Sequence, residues 1–258
     1  MRKTPSGMKH PLRTLLLAVC CGLAAACTQR QERLKLMSYN IRNGIGIDNI
    51  QDIGRIARVI LREAPDLVAL QELDSATLRV DGRYIPGELG RMTGMHATFG
   101  RAIGFAGGSY GIGLLSRTEP LAVRSIPLPG REEARVLLMA EFPDYTVCIT
   151  HLSLTPEDRL ASLPIIREAT DTCRKPVLLA GDFNTGNAAA VLAGLGGGFR
   201  ILSDTTRMTF PSDNPAVRID YILGRGLPTS ATVAESAVDH TATASDHCPL
   251  WVTLVWKR

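Results

Sequence analysis

The stretch Val177-Leu178-Leu179-Ala180-Gly181-Asp182-Phe183-Asn184 decides the fold, because it predicts a buried strand that ends in polar side chains. Gly181 allows the backbone to turn or to approach another group closely. Asp182 and Asn184 follow two residues apart, so in an extended segment their side chains project to the same side. By itself the stretch also fits a strand that ends in an ordinary turn. The other strand ends must therefore decide between a turn and a site.

Polar side chains of the types used in catalysis follow, precede or lie within several other short apolar runs. They are Asn40, Glu72, His151, Asp220 and the pair Asp246-His247. A single charged residue at a strand end can simply be solvated. Asp220 is different, because Ile219, Tyr221 and Ile222 surround it in the sequence and predict that it is buried. A buried carboxylate needs a partner, and a histidine is the natural one.

The pattern of elements predicts an α/β protein. Apolar positions at helical spacing predict a helix that ends before Pro65, which Asp48 is expected to cap. Further helices are expected at residues 87–93, 156–173 and 188–195. Short strands without intervening helices, as between residues 96 and 151, favour antiparallel pairing. Strand–helix–strand units mixed with runs of strands indicate a layered α/β fold with mixed sheets.

The polar strand ends resemble the motifs of the endonuclease/exonuclease/phosphatase superfamily, the DNase I-like metal-dependent phosphoesterases. In chain order the resemblance is carried by Ser38–Arg42, Gln71-Glu72, Gly111–Arg117, Thr150–Leu152, Gly181–Asn184, Ile219–Ile222 and Ser245–Leu250. It implies a DNase I-like four-layer sandwich, in which two mixed, mostly antiparallel β-sheets are flanked by helices. The site would lie at one end of this sandwich.

The resemblance also implies a metal site. Glu72 with Asn40 would form the principal Mg²⁺ site, with Asp246 as a further ligand. Mg²⁺ is a hard cation that prefers oxygen ligands and retains water, which suits a carboxylate and an amide, and Mn²⁺ is expected to substitute for it. Whether one metal ion or two bind stays open.

Catalytic roles follow from the same resemblance. Asp182 would orient or deprotonate the attacking water, and Asn184 would hydrogen-bond the phosphoryl group. His247 would contact the phosphate or act as the general base, oriented by Asp220. His151 would contact the phosphate or assist the leaving group. The sequence leaves open whether Asp182 or His247 takes the proton.

Two further residues are expected to bind substrate. Arg135 precedes a predicted strand and suits a phosphate, although a solvated arginine fits the pattern equally well. Tyr110 lies among glycines that predict either a loop at the rim of the site or a flexible turn into a strand.

The N-terminus has the pattern of a secretory signal. Residues 1–26 carry basic residues, then a short apolar stretch, then small residues, and the apolar stretch is too short to span a membrane. The segment Leu23–Cys27 resembles a bacterial lipobox, which predicts cleavage before Cys27 and lipidation of its thiol. The alternative is an ordinary signal cleaved nearby or an internal start. We therefore expect a tether at residues 27–33, a single domain at residues 34–258, and an extracytoplasmic lipoprotein anchored to the outer membrane, periplasm or cell surface.

Charge helps to order the functions. Four of the 29 basic residues lie in residues 1–26, which carry no acidic residue, so the remaining 25 balance the 25 acidic residues. Proteins that bind long nucleic acids usually have a basic excess. The sequence therefore favours a monomeric phosphoesterase that hydrolyses a phosphodiester in a lipid head group or in another small extracytoplasmic substrate. The alternatives are a tethered nuclease acting on DNA or RNA, a phosphomonoesterase, and, in another class, a non-catalytic binding lipoprotein.

Overall fold

The structure is a computed structural model that describes Met1 and residues 31–257. The predicted signal segment after Met1, the predicted lipid attachment at Cys27 and residues 28–30 of the predicted tether lie outside the described residues. Residues 31–33, which the sequence analysis assigns to the tether, form the beginning of the first strand in the structure. Gln31 pairs there with Lys257 in the last strand. The first strand therefore begins three residues earlier than the sequence predicts.

Twelve strands form two six-stranded sheets. The first sheet has, in spatial order, β11 (Thr232–Val238), β12 (Leu250–Lys257), β1 (Gln31–Asn40), β2 (Leu67–Ser75), β4 (Gly108–Ser116) and β3 (His96–Phe105). The second sheet has β5 (Ala122–Leu128), β6 (Arg135–Glu141), β7 (Thr146–His151), β8 (Val177–Asp182), β10 (Asp220–Arg225) and β9 (Arg200–Ile201). β9 is only two residues long, which is too short to show a period in the sequence.

Each sheet contains one parallel pair, and its other pairs are antiparallel. β1 is parallel to β2, and β7 is parallel to β8. A helix supplies the crossover in each case: α1 (Ile53–Glu63) connects the first pair and α3 (Pro156–Asp171) connects the second. The carboxyl ends of the two parallel strands in a pair meet at one edge of the sheet. That edge carries the polar residues which the sequence places after the strands.

Three apolar cores hold four layers together. One core lies between the sheets and contains Leu36 and Ile149. The second core packs α1 and α2 (Ile85–Thr93) on the outer face of the first sheet. The third core packs α3 and α4 (Ala188–Leu195) on the outer face of the second sheet. The prediction of two mixed sheets flanked by helices is confirmed.

The residue that caps α1 differs from the predicted one. Asp52, and not Asp48, caps α1, because its Oδ1 accepts a hydrogen bond from the backbone N–H of Arg55 at 3.3 Å. Asp48 instead pairs with the Arg55 guanidinium at 2.7 Å.

Among the described residues, no helix is both long and apolar enough to cross a membrane.

Candidate active site

Asp182 lies at the centre of the polar edge because of its place in the second sheet. In the register of that sheet it is opposite His151 of β7 on one side and Asp220 of β10 on the other. Register partners carry their side chains on the same face, so these three side chains line one face of the sheet. Gly181 allows this packing, since a Cβ at this position would lie 2.0 Å from the Thr150 carbonyl oxygen.

The buried Asp182 carboxylate is held by residues from both sheets. The backbone N–H of Asn184 donates to its Oδ1 at 2.8 Å, and Nδ2 of Asn40 in β1 donates to its Oδ2 at 3.1 Å. The same Oδ2 lies 3.6 Å from Nε2 of His151 and 3.7 Å from Nε2 of His247. Burial and the Asp220 carboxylate raise the pKa of Asp182 above the usual range of a carboxyl group, and His247 opposes this.

His247 forms the predicted pair with Asp220. Its Nδ1 donates to Oδ2 of Asp220 at 3.0 Å, and both side chains are buried. Burial lowers the pKa of His247, but Asp220, Asp182 and Asp246 outweigh it and raise that pKa to about 10. The ring is therefore an imidazolium at neutral pH, with Nε2–H facing Asp182.

His151 is held in the opposite state. The Arg135 guanidinium donates to its Nδ1 at 3.2 Å, and because an arginine has no acceptor, Nδ1 must carry no proton. Burial, with the charge of Arg135, lowers the pKa of His151 well below its ordinary value. The ring is thus a neutral imidazole whose Nε2–H points to Asp182 and is a hydrogen-bond donor.

The structure therefore places Arg135 behind His151 and not at an open phosphate site. The arginine is buried, and its guanidinium also binds Glu133 at 3.0 Å and Glu132 at 3.3 Å. Glu132 in turn accepts from Ser153 Oγ and from the Leu154 backbone N–H, both at 2.8 Å. Through its two terminal nitrogens Arg135 positions His151, which differs from the substrate contact expected from the sequence.

Glu72 is presented by a β-bulge. The register between β2 and β4 shifts between Leu70 and Leu73, which takes Gln71 and Glu72 out of the regular ladder. Glu72 has a left-handed φ of 59°, an uncommon conformation for a residue other than glycine. The bulge turns its carboxylate to Asn40, whose Nδ2 donates to Oε1 at 3.0 Å.

The Asn40 amide links the carboxylates of Glu72 and Asp182 through its nitrogen. Its oxygen, Oδ1, accepts from the backbone N–H of Arg42 at 3.1 Å, which assigns the two ends of the amide. A ligand role through this oxygen would need the amide to turn. Asp246, the third predicted ligand, is half-buried and lies 3.5 Å from Nε of Arg42.

A divalent cation fits these donors in either of two places. Ligand atoms of Asp182, Asp220 and His247 lie within 4.8 Å of one another, and Oδ1 of Asp220 is buried without a hydrogen-bond partner among the described residues. A cation between Asp220 and His247 would displace the proton of their hydrogen bond, however. The oxygens of Glu72 suit a hard cation better, and need no such exchange.

The structure also places the remaining predicted residues. Asn184 donates through Nδ2 to the Leu152 carbonyl oxygen at 2.8 Å, so only part of its amide is left for a phosphoryl group. Tyr110 is buried and lines a small cavity together with Glu133, Arg135 and His151.

Two residues of the site have no role in the sequence-based interpretation. Phe210 packs on the His247 ring, with 4.8 Å between ring centroids. The buried Ser245 donates through Oγ to the Asn40 carbonyl oxygen at 2.7 Å and accepts from the His247 backbone N–H at 3.3 Å. Ser245 directly precedes Asp246 in a quoted motif, which is the signal that identifies it, whereas no local pattern shows that Phe210 meets His247.

Comparison with known proteins identifies the family and agrees with the fold. The sequence model of the Endonuclease/Exonuclease/phosphatase family matches residues 37–247. An endonuclease/exonuclease/phosphatase from Bacteroides vulgatus has a TM-score of 0.71 at 19% identity, over 88% of this chain and 100% of that one. The mannosyl-6-phosphatase Bt3783 of Bacteroides thetaiotaomicron has a TM-score of 0.68 at 20% identity, over 86% of this chain and 100% of that one.

A third similar structure is TDP2 of D. rerio in complex with a single-strand DNA product. It has a TM-score of 0.65 at 22% identity, over 86% of this chain and 98% of that one. Among curated proteins, no sequence matches this chain. At these identities the solved structures show a shared fold.

Proposed function

The chain belongs to the endonuclease/exonuclease/phosphatase family, whose members are metal-dependent phosphoester hydrolases, and on that premise we propose that it hydrolyses a phosphodiester in a small extracytoplasmic substrate by attack of water. One observation carries the proposal. The Asp182 carboxylate is surrounded by donors from Asn40, His151 and His247, with Glu72 one hydrogen bond away. This arrangement provides a base, donors to a phosphate and a metal-binding carboxylate in one place.

Each side chain has a distinct task in this proposal. Asp182 orients the attacking water and accepts its proton, because His247 already carries a proton and is no free base. The imidazolium of His247, held by Asp220, stabilises negative charge on the phosphoryl oxygens. Neutral His151 donates its Nε2–H to the phosphate or to the leaving oxygen.

We propose that the metal ion is Mg²⁺ and that Mn²⁺ can replace it. Glu72 would hold it, with Asn40 and Asp246 beside it. When bound, the ion supplies a Lewis acid that screens the phosphate oxygens and stabilises charge on the leaving oxygen.

The formal charge of the chain supports a small substrate. Residues 27–258 are formally neutral, so they lack the basic excess that a long nucleic acid usually requires. A lipid head group and a soluble ester share the reacting phosphate. Among the similar structures, the name of one reports a mannosyl-6-phosphatase and that of another reports a DNA product. A phosphomonoester and DNA are therefore the competing substrates to measure.

We also propose where the protein acts. The lipobox-like segment before Cys27 supports lipidation of this cysteine and attachment of a monomeric enzyme to a bacterial membrane outside the cytoplasm. The membrane would then be a partner through the lipid.

A hydrolysis panel tests the proposed function. Bis-p-nitrophenyl phosphate, p-nitrophenyl phosphate, sphingomyelin, phosphoinositides and plasmid DNA are compared with Mg²⁺, with Mn²⁺ and with EDTA. We expect a metal-dependent reaction that is fastest with a small phosphodiester and that falls by about 100- to 10,000-fold in Asp182→Asn, which keeps the shape of the side chain.

Two outcomes would contradict this proposal. Dominant cleavage of DNA would favour the nuclease, and dominant hydrolysis of p-nitrophenyl phosphate would favour a phosphomonoesterase. In addition, activity that persists in EDTA, or in an Asp182→Asn variant that is still folded, would contradict the proposed mechanism.

A further inference from the structure

A rigid arginine stands at the rim of the candidate active site. Arg79 belongs to a single 3-10 turn, Leu78–Val80, which follows β2. The backbone N–H of Leu78 donates to the Ala106 carbonyl oxygen at 2.8 Å, so this turn is attached to the tip of the hairpin between β3 and β4. The turn is therefore held against the hairpin whose second strand, β4, carries Tyr110.

The Arg79 guanidinium is fixed on three sides. Its Nε donates to Oδ2 of the buried Asp74, and its central carbon lies 4.7 Å from the Phe105 ring centroid and 5.1 Å from that of Tyr110. The side chain is nevertheless 40% exposed. Within residues 31–257, Asp74 is the only hydrogen-bond acceptor of Arg79, so its two terminal nitrogens keep their donors for a ligand.

This guanidinium is connected to the candidate active site through Asp74 and Tyr110. Asp74, which accepts the hydrogen bond from Arg79, follows Glu72 by two residues in β2. Asp74 and Tyr110 are register partners, so both side chains lie on the same face of the first sheet. Tyr110 also lines the small cavity that reaches His151. A continuous wall therefore runs from His151 through Tyr110 to Arg79.

We propose that Arg79 binds a second anionic group, a phosphate or a carboxylate, on the part of the substrate that does not react. A guanidinium in a fixed orientation matches the two oxygens of such a group in a bidentate manner. The two rings and Asp74 hold the side chain before the ligand arrives, which reduces the entropy lost on binding.

The residues next to Arg79 favour an organic substrate that carries a second anionic group. Leu78 is 77% exposed and Phe105 is 38% exposed next to Arg79, which gives the carbon skeleton an apolar surface. A sugar phosphodiester that carries a second phosphate or a carboxylate has this chemistry, whereas a neutral leaving group would leave the terminal nitrogens without a charged partner.

This inference rests on the proposed function, since it assigns a subsite of the same reaction. Competitive inhibition of metal-dependent hydrolysis by fructose 1,6-bisphosphate and by fructose 6-phosphate tests it. We expect the bisphosphate to bind about 10- to 100-fold more tightly than the monophosphate in the native protein. Arg79→Ala should bring this ratio close to one, and Arg79→Lys, which keeps the charge without the fork, should give an intermediate ratio.

Arg83→Ala is the matched control. The Arg83 side chain is 43% exposed and its guanidinium is paired with Glu88, so its loss should leave the ratio unchanged. A native ratio near one, or a ratio that persists in folded Arg79→Ala, would overturn the subsite. If no substrate is hydrolysed, the proposed function fails, and calorimetry with the same two ligands still measures the ratio in native protein and in both arginine variants.

Discussion

The two histidines of the site show how neighbouring residues decide the chemistry of a side chain. The Asp220 carboxylate accepts a hydrogen bond from His247, and its negative charge raises the pKa of that ring and keeps it protonated. Arg135 occupies the equivalent place behind His151 and, as a cation, keeps that ring neutral. The site thus presents one cationic donor and one neutral donor to the same Asp182 oxygen. Neither state can be read from a histidine in the sequence.

Replacing Arg135 tests the neutral state of His151. In Arg135→Met the Nδ1 atom loses its donor, and the pKa of His151 rises because the arginine charge no longer lowers it. We expect kcat to fall by about 10- to 100-fold. The pH–rate profile should also lose activity at a higher pH on its acid side, since the ring gains a proton there as the pH falls.

Arg135→Lys is the comparison for that measurement. It keeps the charge and loses the fork, so kcat should fall while the acid side of the profile stays near that of the native enzyme. A purely structural arginine would lower the unfolding temperature in both variants without moving either pH profile.

Strand ends are the elements that bring the site together. β7, β8 and β10 place His151, Asp182 and Asp220 side by side through their register, and the bulge in β2 brings Glu72 to Asn40. Register and bulge depend on pairing between distant segments, so a single strand pattern does not contain them. The strand pattern predicts that a polar residue follows a strand, and the sheet decides which residues it meets.

Gly181→Ala tests the close packing of β7 and β8. The added Cβ would lie 2.0 Å from the Thr150 carbonyl oxygen, so the two strands must separate. We expect the free energy of unfolding to fall by about 1–3 kcal/mol. Activity should fall as well, because the separation moves Asp182 away from His151.

Denaturant unfolding and kcat provide the two measurements. Gly186→Ala is the control, because its added Cβ would be 3.6 Å from the nearest atom, an ordinary contact. Equal stability of the two variants would show that the strands yield without cost.

At the scale of the whole molecule, the site joins the two sheets. His247 precedes β12 of the first sheet and bonds Asp220 of the second, while Asn40 reaches from β1 to Asp182. The chain enters the first sheet at Gln31, the opposite end of the ten-residue β1 from Asn40. This strand is about 33 Å long, so an N-terminal anchor would attach far from the reacting groups.

Cys27→Ser tests the proposed anchor together with this geometry. We expect the variant to move from the membrane fraction to the soluble fraction, because the thiol that would carry the lipid is absent. Its kcat/KM with a water-soluble substrate should equal that of the anchored protein, since the site lies at the other end of β1. A variant that stays in the membrane fraction would contradict lipidation at this cysteine.

The sequence by itself determined the α/β class, most elements and the residue types at the site, because apolar periodicity and turn residues act over a few neighbouring positions. It also indicated the family, through motifs that stand in order. Only the tertiary structure decided that Arg135 holds His151, that Asn40 turns its nitrogen to Glu72 and Asp182, and that Arg79 is fixed at the rim. Asn40 and Asp182 are 142 positions apart. Hydrogen-bond partners at such separations are set by how sheets pack, and no local pattern encodes them.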